Sequence, residues 1–399
     1  MTEWKTYRLG DICDYVTSRT SRIENYISTE NMLPNKGGVC APSNEPSGTA
    51  IEYKVGDILI SNIRPYFQKI WQANCNGTCS ADVLCIRAND NVDSKYLYYL
   101  LSQQLFFDYV MAGAKGCKMP RGDKKQIMQW SISLPSLEEQ RRIAGILGAI
   151  DDKIENNRHI NTNLELQAQA LYKQWFVDFD FPNEDGKPYK SSGGKMVDSE
   201  LGQIPKGWSV GKLEDIGDII GGGTPSKVVA EYYTKNGIAW ITPKDLSVSH
   251  LKFTAKGETD ITELGYKNSS AKIMPRGSVL FSSRAPIGYI SIAKNDICTN
   301  QGFKSVVPNN GCTAFVYYFL LSNTENIESK ATGSTFKEAS GALMKSLELV
   351  IPSDDILEKF EKIMSPIFES QEKFEAENET LATLRDTLLP KLMNGEIKL

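Results

Sequence analysis

A short list of landmarks, met twice in the same order along 399 residues, constrains this chain more than any single motif. Trp4, Leu9, Asp11 and Ile12 return as Trp208, Leu213, Asp215 and Ile216. The run Gly56-Asp57-Ile58-Leu59-Ile60-Ser61, closed by Pro65, returns as Gly277-Ser278-Val279-Leu280-Phe281-Ser282, closed by Pro286. Tyr98-Tyr99 and Leu101-Ser102 return as Tyr317-Tyr318 and Leu321-Ser322, and Leu134-Pro135-Ser136 returns as Ile351-Pro352-Ser353. The offset drifts from 204 between Trp4 and Trp208 to 221 between Gly56 and Gly277. Constant order with a drifting offset describes one fold duplicated, with loops of unequal length between fixed points.

Each copy reads as a strand-rich domain followed by one long helix, an α+β architecture. The expected divisions are a first domain over 1–136, a first long helix over 137–181, a linker over 182–206, a second domain over 207–352 and a second long helix over 353–399. Apolar runs bounded by turn signals such as Asn76-Gly77 and Asn310-Gly311 place strands at 51–60, 67–74 and 82–87, then at 278–282, 288–294 and 303–307. Shorter helices fit 95–110 and 314–328. The segment 182–206 is rich in Gly, Lys, Ser and Pro and has no hydrophobic period, the composition of a linker.

The long helices carry a heptad seam. In the first it runs through Ile143, Leu147, Ile150, Ile154, Asn157, Asn161, Leu164, Ala168, Leu171 and Trp175, in alternating steps of four and three. In the second, Phe360, Ile367, Phe374, Leu381 and Leu388 recur every seven residues, with Met364, Asn378 and Leu392 on the same stripe. Such a sustained seam argues coiled coil. Asn157, Asn161 and Asn378 interrupt it, and a buried amide fixes register because a slipped pairing would strand it. An antiparallel pairing within the chain is favoured. It would set the two domains at opposite ends of a rod and give the monomer a pseudo-twofold axis, able to hold two copies of a symmetric partner.

Chemistry is sparse. The chain has no Gly-x-x-x-x-Gly-Lys-Ser/Thr loop, no Gly-x-Gly-x-x-Gly fingerprint and no Asn/Asp-Pro-Pro-Tyr/Phe signature of an amino-methyltransferase. Its two histidines, His159 and His250, sit in no nucleophile elbow. Cys75, Cys79 and Cys85 cluster, but with spacings that fit no zinc site, so thiols near strands are expected and no metal. Gly221-Gly222-Gly223-Thr224-Pro225 reads as a glycine-rich turn rather than a phosphate cradle. Neither an apolar leader nor a run of membrane-spanning length occurs, which points to a cytoplasmic protein with no membrane partner.

Binding remains. The chain as a whole carries a net charge of −4, yet residues 1–136 hold 15 Lys and Arg against 13 Asp and Glu, and residues 207–352 repeat those counts. The excess acid lies in the long helices. Lys115, Lys118, Arg121, Lys124 and Lys125 place five cations and two glycines within eleven residues, a composition suited to phosphates. The corresponding stretch of the second copy, Thr332 to Lys337, has a single cation.

At the seam and its flanks the chain resembles the specificity subunit of type I restriction-modification systems. The resemblance is carried by Leu134-Pro135-Ser136-Leu137-Glu138-Glu139-Gln140-Arg141-Arg142-Ile143-Ala144, by Leu171-Tyr172-Lys173-Gln174-Trp175-Phe176, and by Leu201-Gly202-Gln203-Ile204-Pro205-Lys206-Gly207-Trp208. Leu388-Leu389-Pro390-Lys391-Leu392-Met393-Asn394-Gly395-Glu396-Ile397 completes it. The resemblance implies two target-recognition domains, each reading one half of a split duplex DNA sequence, and two helices that set the unread spacer. It further implies two methyltransferase (modification) subunits that use S-adenosylmethionine and restriction subunits that use ATP with Mg. This chain would then be non-catalytic and hold no cofactor. The alternatives are a stand-alone DNA-binding or coiled-coil adaptor, and a self-sufficient methyltransferase.

Base edges are read by paired donors and acceptors, and phosphates are held by cations. By that rule the expected contacts are Ser61, Asn62 and Arg64, facing Ser282, Ser283 and Arg284 in the other copy. The first-copy basic loop, Lys115, Lys118, Arg121, Lys124 and Lys125, joins them, with Lys227, Lys244, Lys304 and Lys337 in the second.

Overall fold

The computed structural model describes residues 4–41, 48–116, 118–333 and 337–399. The chain divides into two compact units, one of residues 1–156 with 378–399, the other of residues 157–377.

The duplication is structural. In each unit the opening strand pairs antiparallel with the strand that leads into a long helix: Lys5–Arg8 with Ser131–Leu134, and Ser209–Lys212 with Glu348–Ile351. The repeated Leu-x-Asp-Ile is the turn out of that opening strand. Asp11 accepts the Arg8 amide at 2.8 Å and Asp215 accepts the Lys212 amide at 2.7 Å, while Leu9 and Leu213 are fully buried. A carboxylate two residues after a leucine thus satisfies an amide left open by the helical turn as the leucine enters the core.

Behind the clasp lies the same antiparallel sheet. In the first unit the neighbouring strands are Cys13–Tyr15, Val83–Ala88, Ile58–Ser61 and Ile70–Gln72; in the second they are Gly217–Gly221, Lys304–Pro308, Val279–Ser283 and Ile287–Ala293. Phe253–Thr254 adds a parallel fifth strand to the second sheet. The strand expected over 51–60 is two strands, Ala50–Tyr53 and Ile58–Ser61. Gly56, at φ +90°, turns the chain between them, and the Asp57 carboxylate takes the Lys54 amide at 2.7 Å. The helix expected over 95–110 is likewise two, Ser94–Leu101 and Gln104–Ala112, where the Ser102 hydroxyl bonds back to the Tyr98 carbonyl at 2.7 Å. Its counterpart, Thr313–Lys330, is continuous.

Asp57 is the electrostatic anchor of the first sheet. Its side chain is 2% exposed and accepts from Arg87 Nε and Nη2 at 2.7 and 2.6 Å. Arg87→Met leaves that carboxylate buried without its counter-charge, and chemical denaturation is expected to show a loss of about 3 kcal/mol.

The long helices are Leu137–Tyr172 and Asp354–Met393. Within the second unit Asn161 Nδ2 donates to the Gln371 carbonyl at 3.3 Å and Asn157 Nδ2 to Glu377 Oε2 at 2.9 Å. Within the first unit Arg385 Nη1 donates to Asp151 Oδ1 at 2.9 Å. Numbers fall along one helix as they rise along the other, so the pair is antiparallel. Ile143, Leu147, Ile154, Asn157, Ala168, Trp175, Phe360, Met364 and Leu392 are buried. The remaining seam positions Ile150, Asn161, Leu164, Leu171, Ile367, Phe374, Asn378, Leu381 and Leu388 are half-buried.

Each unit takes the end of one long helix and the start of the other. The first helix finishes in a π turn, Lys173–Val177, that puts Trp175 and Phe176 against Phe360, with ring centroids 5.6 and 4.7 Å apart. In the first unit Leu389, Leu392 and Met393 share a core with Ile143. The segment 182–206 is more than a tether. It carries the hairpin Met196–Ser199 with Gly202–Pro205, and Ile204 is buried. Nearby Phe181 stacks on Tyr189 and Trp208 at 4.6 and 5.0 Å. Its composition resembles a linker because glycines at φ +90° and +94°, Gly193 and Gly202, supply tight turns, while a few apolar side chains do the anchoring. Among the described residues no helix is long and apolar enough to cross a membrane.

Candidate nucleic-acid interface

In the first unit, strand Ile58–Ser61 runs into a loop held on both sides by backbone bonds. The Asn62 amide donates to the Asp82 carbonyl at 2.9 Å, the Gly122 amide to the Asn62 carbonyl at 3.3 Å, and the Arg64 amide to the Pro120 carbonyl at 2.8 Å. Lys115 and Arg121 exchange both backbone bonds at 3.0 Å, closing the basic loop into a small hairpin. Two segments more than 50 residues apart in sequence thus form one surface. Arg64 is half-buried there, and Lys115, Lys118, Arg121, Lys124 and Lys125 are exposed. Tyr66, Phe67 and Met119 are exposed alongside, the two rings 4.6 Å apart between centroids. Cations interleaved with exposed aromatic rings suit phosphate and base together.

Two carboxylates order this loop. Arg121 Nη2 lies 3.2 Å from Asp82, and Lys115 Nζ lies 2.7 Å from Asp123. The Lys115 hydrogen bond, with the amides of Gln126 and Lys125, holds the Asp123 carboxyl at about 2. Asp123 also caps the helix Lys124–Ile127. Arg64 itself is left-handed, φ +50° and ψ +63°, immediately before Pro65. That conformation is costly for a non-glycine residue and doubly so before proline. Ala285, before Pro286 in the second unit, is left-handed at φ +54° in the equivalent place.

The second unit answers with a cleft of about 690 Å³ whose walls include Lys227, Tyr233, Trp240, Lys244, Arg284 and Gln301. Strand Trp240–Ile241 pairs in parallel with Cys298–Thr299 to form one wall. The Thr242 amide and hydroxyl both donate to Asp245 Oδ2, at 2.7 and 2.6 Å, opening the helix Pro243–Ser249 that carries Lys244. Lys244 pairs with Glu258 at 2.7 Å, and this bond raises its pKa. Trp240 Nε1 donates to the Gly223 carbonyl at 2.9 Å, tying the glycine run to the wall. Arg284 and Lys304 share Glu338, at 3.4 and 3.2 Å.

Three of the expected contacts are enclosed by this geometry. Ser61, Ser282 and Ser283 are buried. Ser61 Oγ donates to the Ile63 carbonyl at 3.0 Å, Ser282 Oγ to the Pro286 carbonyl at 2.8 Å and Ser283 Oγ to the Gly302 carbonyl at 3.1 Å. Their hydroxyls shape the loops that present the neighbouring arginines. Asn62 is also buried, although its Oδ1 has no hydrogen-bond partner. Lys227, Lys244 and Arg284 meet at the cleft; Lys304 is tied to Glu338 away from its lining, and Lys337 is exposed with Nζ 3.5 Å from the Glu328 carbonyl. Ser334 to Phe336, within the stretch compared with the basic loop, lie outside the described residues.

The glycines also differ from expectation. Gly217–Gly221 is a strand, and a Cβ at Gly222 would sit 1.9 Å from the Asn300 carbonyl oxygen. The run exists for close backbone packing. A further repeated element went unread in the sequence. Ile27 bridges Cys79 in parallel as Ile241 bridges Thr299, and Ser28 donates by amide and hydroxyl to Asn31 Oδ1, at 2.9 and 2.7 Å, as Thr242 does to Asp245. The pair Ile-Ser/Thr followed by Asn/Asp is its whole signature, too short to show a period.

The comparisons with known proteins agree with this architecture. The family described as Type I restriction modification DNA specificity domain matches residues 1–166 and 205–383, one domain with most of a long helix each time. The chain is 28% identical over its full length to the Type I restriction enzyme HindI specificity subunit of Haemophilus influenzae, which it also covers completely. It is 40% identical over 190 residues, 47% of this chain and 44% of the relative, to the Type I restriction enzyme MjaIX specificity subunit of Methanocaldococcus jannaschii. The crystal structure of the type I restriction-modification S subunit from M. genitalium, 16% identical, aligns over 98% of this chain and 96% of that one with a TM-score of 0.57, and shares the fold.

Proposed function

Since this chain belongs to the type I restriction-modification DNA specificity family, we propose that each of its two domains reads one half of a split duplex site, through Arg64 and the basic loop in one and the cleft around Arg284 in the other. The observation that carries this reading is an arginine on the loop after the equivalent central strand in both copies, Ile58–Ser61 and Val279–Ser283: Arg64 is itself the left-handed residue before Pro65, and Arg284 directly precedes Ala285, the left-handed residue before Pro286. A backbone strained at the same place in both copies is a site held for a purpose. Lysines around each arginine supply phosphate affinity, and the arginine fork supplies base discrimination.

The reading leaves reaction chemistry to partners: modification subunits binding S-adenosylmethionine, and restriction subunits using ATP with Mg. The chain itself would contribute recognition without catalysis or a cofactor, acting on DNA in the cytoplasm. Two modification subunits are supported by the surface of the helices. Ile146 and Ile363, equivalent in the duplication, are both exposed, at 38% and 40%. An exposed isoleucine repeated on both long helices suits two identical docking partners.

Fluorescence anisotropy of the chain complexed with its modification subunits tests the interface. Arg284→Ala is expected to weaken binding of the cognate duplex by about 1–3 kcal/mol and to relax one half-site only. Lys227→Ala and Lys244→Ala are each expected to weaken binding of all sequences and to reduce the salt slope by about 1. Unchanged affinity and slope in all three variants would remove the cleft from the interface.

A further inference from the structure

Between the helix Pro243–Ser249 and the strand Phe253–Thr254 lies Lys252, whose side chain is only 8% exposed. An ammonium has three donors and no acceptor. Lys252 Nζ places one on Glu165 Oε2 at 2.6 Å, one on Tyr318 Oη at 2.7 Å and one on Gln371 Oε1 at 3.0 Å. Glu165 belongs to the first long helix, Gln371 to the second and Tyr318 to the domain, so one cation joins all three parts. Rings complete the enclosure: Phe368, Tyr317 and Tyr318 have centroids 4.0, 4.8 and 4.9 Å from Nζ. The backbone is pinned as well, the Lys252 and Phe253 amides donating to Glu375 at 3.0 and 3.2 Å. Burial lowers the Lys252 pKa to about 8, and it raises the Glu375 carboxyl to about 7.

The first unit solves the same problem with its hydrogen-bonding cation on the helix pair, while the half-buried Lys36 of its domain interacts electrostatically with Asp386 and Asp151. Tyr99, the counterpart of Tyr318, donates to Asp151 at 2.6 Å, but the cation on Asp151 is Arg385 of the second long helix. There the helix pair satisfies its own carboxylate. In the second unit the domain must supply the charge, and three directed bonds from one ammonium admit a single orientation of that domain on the helices.

We propose that Lys252 is a positioning residue for site recognition, holding the second domain at one setting on the helix pair and so restricting the complex to one spacing between half-sites. The proposal rests on the reading of one half-site per domain. Its test is long-read methylome sequencing of cells that carry the modification subunits with either the wild-type chain, Lys252→Met, or the double variant Lys252→Met with Glu165→Gln, which also removes the carboxylate that Lys252 pairs with. Both half-site sequences are expected to stay as in wild type, while methylation of sites one base pair longer or shorter in the spacer rises about tenfold. Spacing as strict as wild type in an active variant overturns the proposal, as does a double variant that assembles and methylates nothing, or failure of both variants to accumulate. A wild-type methylome without a bipartite motif would instead overturn the reading of the two domains.

Discussion

Inserting seven residues into each long helix, after Asn156 in the first and after Glu377 in the second, is expected to widen the unread spacer by about three base pairs while both half-sites stay the same. Seven helical residues add about 10.5 Å of rise, and a base pair occupies about 3.4 Å of duplex. A heptad also turns the helix to within about 20° of two full turns. The a and d positions therefore continue across the insertion. Inserting at facing points of an antiparallel pair leaves each unit's own contacts in place, such as Arg385 on Asp151 and Asn161 on the Gln371 carbonyl. Methylome sequencing reads spacer and half-sites together. An unchanged spacer would show that the helices do not set the distance.

Exchanging residues 207–352 for the corresponding segment of another family member is expected to replace one half of the recognised sequence completely and leave the other intact. The segment is self-closing, because its first and last strands, Ser209–Lys212 and Glu348–Ile351, pair with each other. Its joint to the helices is specific, however. Arg276 lies 2.6 Å from Glu372, the amides of Ala314 and Phe315 donate to Glu361, and Lys252 satisfies Glu165. Glu361 is half-buried, and its desolvation pushes its carboxyl up to about 7 despite the two amide donors. A donor segment lacking a cation at the Lys252 position would strand Glu165, at a cost of several kcal/mol; the exchange should carry that cation or pair with Glu165→Gln. A change in both halves of the site would contradict modular reading.

Much of the architecture could be seen in advance for a local reason. The heptad seam and the Leu-x-Asp-Ile clasp are patterns of near neighbours, set by helical periodicity and by the reach of one carboxylate to a nearby amide. The breaks at Gly56-Asp57 and Ser102-Gln103 are short polar interruptions with apolar residues resuming on the far side, and the turn is made by a side chain bonding back to nearby backbone. The interface was legible as a composition and not as an arrangement. The basic loop stood out in the sequence, but its seat beside Arg64 depends on pairing with Ile63 across more than 50 residues. Ser61, Ser282 and Ser283 looked like candidate readers because a serine at the end of a strand carries no mark of whether its hydroxyl already bonds within the chain.

By itself the amino-acid order determined that this protein is a duplicated pair of domains with two heptad helices, since spacing and periodicity are properties of the chain alone. Which polar groups face outward, that Trp240 and Arg284 share a cleft, and that Lys252 meets Glu165 and Gln371 from 87 and 119 residues away were decided only by tertiary structure. The physical reason is that burial and hydrogen-bond satisfaction depend on what the fold brings alongside, and no local pattern encodes a neighbour that distant.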